Sequence, residues 1–223
     1  MGFRVIDCPQ RSPEWFAARA GLLTASRAAD FLATYKDGKT PAASRKNLLI
    51  QLALERITGK PQESGYVNAA MQQGIEREAG AVALYDALTG RCAMPSGFLA
   101  HDTYLAGCSL DGHVDDFTGI VEVKSPQPAT HWEYVRTGIV PPDYVKQITH
   151  QLWITGARWC DWLSYNPDFP EPLQVKLVRI ERDEKTIADY QAKALAFLAE
   201  VERECEVMRT LAGVGAVLRA AVA

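Results

Sequence analysis

The chain has 223 residues, 48% of them hydrophobic and 23% charged, with 12 prolines and 16 glycines. That composition belongs to a folded protein with a substantial core and excludes disordered, collagen-like and coiled-coil chains, and the length fits one domain, expected over 1–223. The formal net charge is −3, yet ten Lys and Arg face only five acids within residues 1–60, so the bulk charge announces no polyanionic partner while the first third can still present a basic surface.

The first third, about 12–90, reads as helical. Ser12 followed by Pro13 and Glu14 is a helix start, Thr24 can cap a helix over 25–33, and Ser44 to Thr58 carries apolar residues at helical spacing into Gly59. A fourth helix runs from Asn68 to Thr89 and stops at Gly90. The period changes over about 91–182, where Tyr104–Gly107, Leu110–Asp115 and Ile120–Lys124 read as short strands, with a turn over 116–119. Helical spacing resumes over Thr130–Arg136 and Asp143–Thr155, β-rich runs follow at Trp159–Tyr165 and Leu173–Ile180, and a long helix covers about 183–211. This order implies an α/β or α+β core, one mixed central sheet flanked by helices.

Cys8, Cys92, Cys108, Cys160 and Cys205 are odd in number and form no CxxC pair, which argues against a disulfide framework or a zinc site. The first ten residues lack the apolar core of a signal peptide and no apolar run reaches membrane-spanning length, so a cytoplasmic protein is expected.

Chemistry concentrates in Ser109-Leu110-Asp111-Gly112 through Ile120-Val121-Glu122-Val123-Lys124-Ser125. Alternation along a strand puts Glu122 and Lys124 on the face of Ile120, with Val121 and Val123 on the other. A hairpin with residue 115 opposite 120 would set Asp111 opposite Lys124 and His113 opposite Glu122. Two carboxylates beside an ammonium suit metal-assisted phosphodiester hydrolysis: hard oxygen ligands hold Mg²⁺ while leaving positions for phosphate and water. The same charges could equally form a structural ion pair at a sheet edge. Upstream, Glu78 shares a helical stripe with Met71, Ile75, Val82 and Tyr85, whereas Glu76 faces elsewhere. An acid on an apolar stripe needs a cation, either a metal or a nearby arginine.

Asp111 followed by Glu122-Val123-Lys124 resembles the PD-(D/E)XK nuclease motif, with Leu110 in place of the motif proline. Arg19-Ala20-Gly21-Leu22-Leu23-Thr24-Ala25-Ser26, Gly74-Ile75-Glu76-Arg77-Glu78, Cys108-Ser109-Leu110-Asp111-Gly112 and Tyr144-Val145-Lys146-Gln147 through Gln151-Leu152-Trp153 extend the resemblance to the phage lambda exonuclease family, the YqaJ-type viral recombinases. Ile180 to Lys185 resembles the segment leading into the family's last helix, so the likeness covers about residues 12–200.

The resemblance implies a restriction-endonuclease-like core and a processive 5′ to 3′ exonuclease that degrades one strand of linear duplex DNA to mononucleotides. It implies two Mg²⁺ per site, replaceable by Mn²⁺, with Asp111, Glu122 and the Val123 carbonyl as ligands and Glu78 at the second metal. Lys124 would position the attacking water, with Gln147 and Tyr144 beside it. Arg19 and Ser26 match the pocket for the 5′-phosphate, and Ser109 can add a hydroxyl; where the family carries a further Arg after the motif, this chain has Thr130 or His131. Family members form trimeric rings around DNA and work beside a single-strand annealing protein, encoded by phage or prophage in a bacterial host. Another PD-(D/E)XK endonuclease or repair nuclease and a catalytically silent DNA-end-binding module are the competing readings.

Trp153, Trp159 and Trp162 lie in apolar patterns that packing explains, and Trp15 beside the helix start is less readily assigned. His101, His113, His131 and His150 show no zinc-hydrolase spacing.

Overall fold

The computed structural model describes residues 2–62 and 69–222, the side chains of 69–71 and 214–222 excepted. In chain order the elements are β1 (Phe3–Ile6), α1 (Pro13–Arg19), β2 (Leu23–Thr24), a 3₁₀ turn (Ala25–Arg27), α2 (Ala28–Phe31), α3 (Ala43–Thr58), α4 (Ala69–Thr89), β3 (Phe98–His101), β4 (Ala106–Cys108), β5 (Gly112–Val114) and β6 (Gly119–Lys124). Then come α5 (Pro128–Thr137), α6 (Pro142–Thr155), β7 (Trp159–Tyr165), a second 3₁₀ turn (Glu171–Leu173), β8 (Val175–Glu181) and α7 (Glu184–Val222).

Local chemistry explains the helix ends. The Ser12 hydroxyl accepts the Trp15 N–H at 3.2 Å, and Pro13 occupies the first turn, where its missing N–H costs nothing. Helices α3 and α4 end at Gly59 and Gly90, each at φ +67°, the left-handed conformation glycine adopts without penalty. Segment 25–33, read as one helix, divides into the 3₁₀ turn and α2, and the Thr24 side chain makes no capping bond there. Asn68, the expected start of the fourth helix, lies outside the described residues, as does the side chain of Met71. Helix α7 continues eleven residues past the expected 211.

The strands form two four-stranded mixed sheets instead of one, in orders β1-β3-β4-β2 and β5-β6-β7-β8. In the second sheet β6 pairs parallel with β7, while β5 and β8 are antiparallel to their neighbours. Its two faces separate as the alternation requires. Ile120, Cys160 and Trp162 join the main core with residues of α2, α3, α6 and α7, and Val121, Val123, Trp159 and Leu163 pack with Ala81 and Tyr85 of α4. Helices α4 and α6 therefore cover opposite faces of β6, and this strand brings both helices to one site.

The β5–β6 register differs from the expectation by two residues: His113 pairs with Ile120 and Val114 with Gly119. The connecting loop is 115–118, and Asp115, Asp116 and Phe117 all have positive φ, of 51°, 51° and 64°. Three non-glycine residues in that region give no recognisable turn signature. His113 accordingly stacks on Phe117, ring centroids 3.8 Å apart, and is not opposite Glu122.

Candidate active site

Glu122 is a buried charge held by hydrogen bonds beside the cleft. Its side chain is 2% exposed and lies on the α6 face of β6. Gln147 Nε2 donates to one carboxylate oxygen at 2.6 Å, and Gln151 Nε2 donates to the other at 2.6 Å and also to the Ser109 carbonyl at 3.3 Å. The two glutamines are four residues apart on α6, one turn along the same face. The Lys124 ammonium donates to the first of those carboxylate oxygens and lies 5.1 Å from the Tyr144 ring centroid. Burial alone would discharge Lys124, but the carboxylates of Glu122 and Asp111 hold its pKa above the ordinary lysine value.

Asp111 ends the short loop between β4 and β5 and turns its carboxylate onto the Val123 N–H at 2.6 Å. Burial first, and then the charge of Glu122, push its pKa up to about 8. Glu78 arrives from α4, half-buried, and burial raises its pKa too, with Glu122 adding to the effect while Arg11 and Lys124 oppose it. Three carboxylates, from α4, the β4–β5 loop and β6, thus stand against two cations, Lys124 and Arg11, at and beside one cleft. That imbalance, in an all-oxygen donor set, fits a hard divalent cation. Among the described residues no three acidic, His or Cys side chains already converge on a single point, because Glu122 is turned toward α6 and Asp111 toward the β6 backbone.

Two adjoining cavities open here. One, of about 420 Å³, is lined by Glu78, Asp111, Val123, Lys124, Tyr144 and Arg11, and the other, of about 440 Å³, shares Arg11, Ile75, Glu78 and Asp111 with it. Glu76 faces away and accepts a hydrogen bond from Gln72.

Arg19 and Ser26 meet directly: the guanidinium donates to Ser26 Oγ and to Thr24 Oγ1, each at 3.1 Å, and stacks 4.0 Å from the Trp15 ring centroid. Trp15 Nε1 in turn donates to Ser109 Oγ at 2.8 Å, so one aromatic side chain links this cluster to the strand end that bears Asp111. Thr130 is exposed on α5, and His131 is fully buried between Ser164 Oγ at 2.7 Å and the Leu173 carbonyl at 2.8 Å. His131 is part of the packing and does not join the Arg19 cluster. Trp153, Trp159 and Trp162 are core residues.

Sequence reasoning did not assign Gln151, Thr24, Trp15 or Arg11 to the site. Gln151 was legible, since it lies one helical turn from Gln147. The other three depend on tertiary contacts that no local spacing encodes.

The YqaJ-like viral recombinase domain matches residues 14–158. LHK-Exo, an alkaline exonuclease from Laribacter hongkongensis, superposes with a TM-score of 0.81 at 42% identity, over 91% of this chain and 98% of that one. Its complex with dAMP aligns equally well, with a TM-score of 0.81 at 41% identity and the same coverage. A phage related exonuclease from Haemophilus somnus 129PT shares the fold, with a TM-score of 0.62 at 13% identity over 84% of this chain and 96% of that one. No protein with a curated description matches significantly. A domain match over 145 consecutive residues, together with more than 40% identity across nine-tenths of the chain, makes this protein a member of the YqaJ-like viral recombinase family.

Proposed function

We propose that the protein is a metal-dependent exonuclease that degrades one strand of linear duplex DNA from its 5′ end to mononucleotides. The observation that carries this reading is that Glu78, Asp111 and Lys124 line one open cleft, with the buried Glu122 held against Lys124, in a chain similar over nine-tenths of its length to an alkaline exonuclease. Asp111, Glu122 and the Val123 carbonyl would hold one Mg²⁺ and Glu78 would face a second, with Mn²⁺ able to replace either. When bound, the metals supply Lewis-acid activation of the phosphodiester and of water.

The residues of the chain do the rest. Lys124, whose ammonium form the carboxylates of Glu122 and Asp111 favour, would orient the attacking water and offset charge developing on phosphate. Gln147 and Gln151 fix Glu122 in one rotamer by donating to both of its oxygens. Tyr144 walls the cleft beside Lys124. Arg19 and Ser26 would receive the 5′-phosphate, the guanidinium giving planar paired donors and the hydroxyl a further one. Ser109, its oxygen already accepting from Trp15, retains its own proton to donate. This pocket would set the 5′ to 3′ direction.

A ring of three subunits enclosing the duplex would explain processivity, because a topologically trapped substrate is not lost between cuts. A single-strand annealing protein would receive the 3′ tail, within the cytoplasm of a phage-infected bacterium.

The test is nucleotide release from linear 5′-phosphorylated duplex and from covalently closed circles, each with Mg²⁺ and with EDTA. Release from the linear substrate alone, abolished by EDTA, is expected. Equal digestion of circles would replace this reading with an endonuclease, and no release from either would leave a DNA-end-binding module.

A further inference from the structure

Arg11 holds a backbone conformation that its own side chain disfavours. It is the third residue of a four-residue turn closed by Ser12 N–H donating to the Pro9 carbonyl at 3.1 Å, and its φ is +68°. Positive φ at that position is ordinarily met by Gly or Asn. The turn is fixed on both sides: Gln10 Nε2 donates to the Leu110 carbonyl at 3.0 Å, immediately before Asp111, and Ser12 caps α1. Strain of this kind persists where surrounding contacts over-determine it, and it concentrates at functional sites.

The strained residue faces the cleft. Arg11 lines both cavities, and with Glu78 and Asp111 it forms part of the wall between them. Glu78 and Asp111 line the cleft, and its other cation, Lys124, is engaged by the buried Glu122. Among the described residues no carboxylate lies within ion-pairing distance of the Arg11 guanidinium. A polyanion entering this cleft meets repulsion from the carboxylates that a guanidinium acting on Glu78 only through space can offset with paired donors.

We propose that Arg11 is a substrate-binding residue whose guanidinium takes the nonbridging oxygens of a DNA phosphate inside the cleft, beside Glu78 and Asp111. This assignment rests on the nuclease reading and adds to it a phosphate contact distinct from the Arg19 cluster.

The variant Arg11→Gly separates a binding role from a structural one, since glycine suits the turn but carries no charge. Its melting temperature should equal or exceed that of the wild-type protein. Its affinity for a 5′-phosphorylated duplex end, measured with Ca²⁺ in place of Mg²⁺, should fall 10- to 100-fold, and kcat/KM for nucleotide release should fall at least as far. Arg11→Lys, which keeps the charge without the fork, should lie between the two. Unchanged affinity in Arg11→Gly while the wild-type protein cuts normally overturns this assignment alone. A lowered melting temperature in Arg11→Gly that accounts for the lost affinity makes Arg11 structural and also overturns it. Failure of the wild-type protein both to bind and to cut overturns the nuclease reading itself, and this assignment with it.

Discussion

Asp111 is under opposite demands with and without a cation. Burial first, and then Glu122, raise its pKa from an ordinary 3.8 to about 8. The folded protein then binds this proton more tightly than the unfolded chain does, so stability from Asp111 is full below pH 4 and is lost as pH rises toward 8. A divalent cation reverses the penalty and must displace the proton to bind. Two outcomes are expected. Apparent Mg²⁺ affinity should rise from pH 6 to pH 8.5, with proton release visible when calorimetry is repeated in buffers of different ionisation heat. In EDTA at pH 8, Asp111→Asn should melt above the wild-type protein, by about 2–4 °C for each kcal/mol of strain relieved, and the difference should close near pH 4. Gln151 gives the complementary case. Gln151→Ala strips a buried carboxylate oxygen of its donor, at a cost of about 1.5–3 kcal/mol. Thermal melts should show that loss in EDTA and a smaller one in Mg²⁺.

At the scale of elements, what could be read from sequence was what short-range chemistry decides. Strand β7 falls on Trp159–Tyr165 as expected, because its boundaries are set by local β-rich composition, and α3 and α4 stop at their glycines. Strands β1 and β3 were not legible: Phe3–Ile6 and Phe98–His101 are four residues each and acquire their strand character from pairing with one another across more than ninety residues. The shared face of Glu122 and Lys124 on β6 was legible from alternation alone, but the position of Asp111 relative to it was not, since that depended on a loop of three left-handed non-glycine residues. The same hairpin contains a position whose tolerance can be measured. A Cβ on Gly119 would fall 2.1 Å from the Trp159 ring, which Arg179 stacks upon at 3.8 Å and Arg91 at 4.9 Å. The ring cannot withdraw without disturbing both cations. Gly119→Ala should cost about 1–3 kcal/mol of stability by denaturant titration, and because Gly119 begins the strand that bears Glu122 and Lys124, nucleotide release should fall with it.

Across the whole molecule, the fold rearranges the charge asymmetry seen in sequence. The basic excess of residues 1–60 is partly consumed by the last helix, where Glu200 pairs with Arg45 at 2.8 Å and Glu202 lies 3.5 Å from Arg56. Those arginines fasten α3 to α7. With these two of the ten basic residues engaged in the fold, the proposed end recognition would rest on a few placed groups such as the Arg19 cluster. That has a measurable signature in the salt dependence of binding, whose slope on a double-logarithmic plot is about −0.9 for each phosphate neutralised. For a duplex end the slope should be shallow, on the order of −3. Arg19→Ala should reduce it by about 1 on a 5′-phosphorylated end and leave it nearly unchanged on a 5′-hydroxyl end. A steep wild-type slope that Arg19→Ala does not alter would mean that binding is spread over many surface cations and that the Arg19 cluster does not read the terminal phosphate.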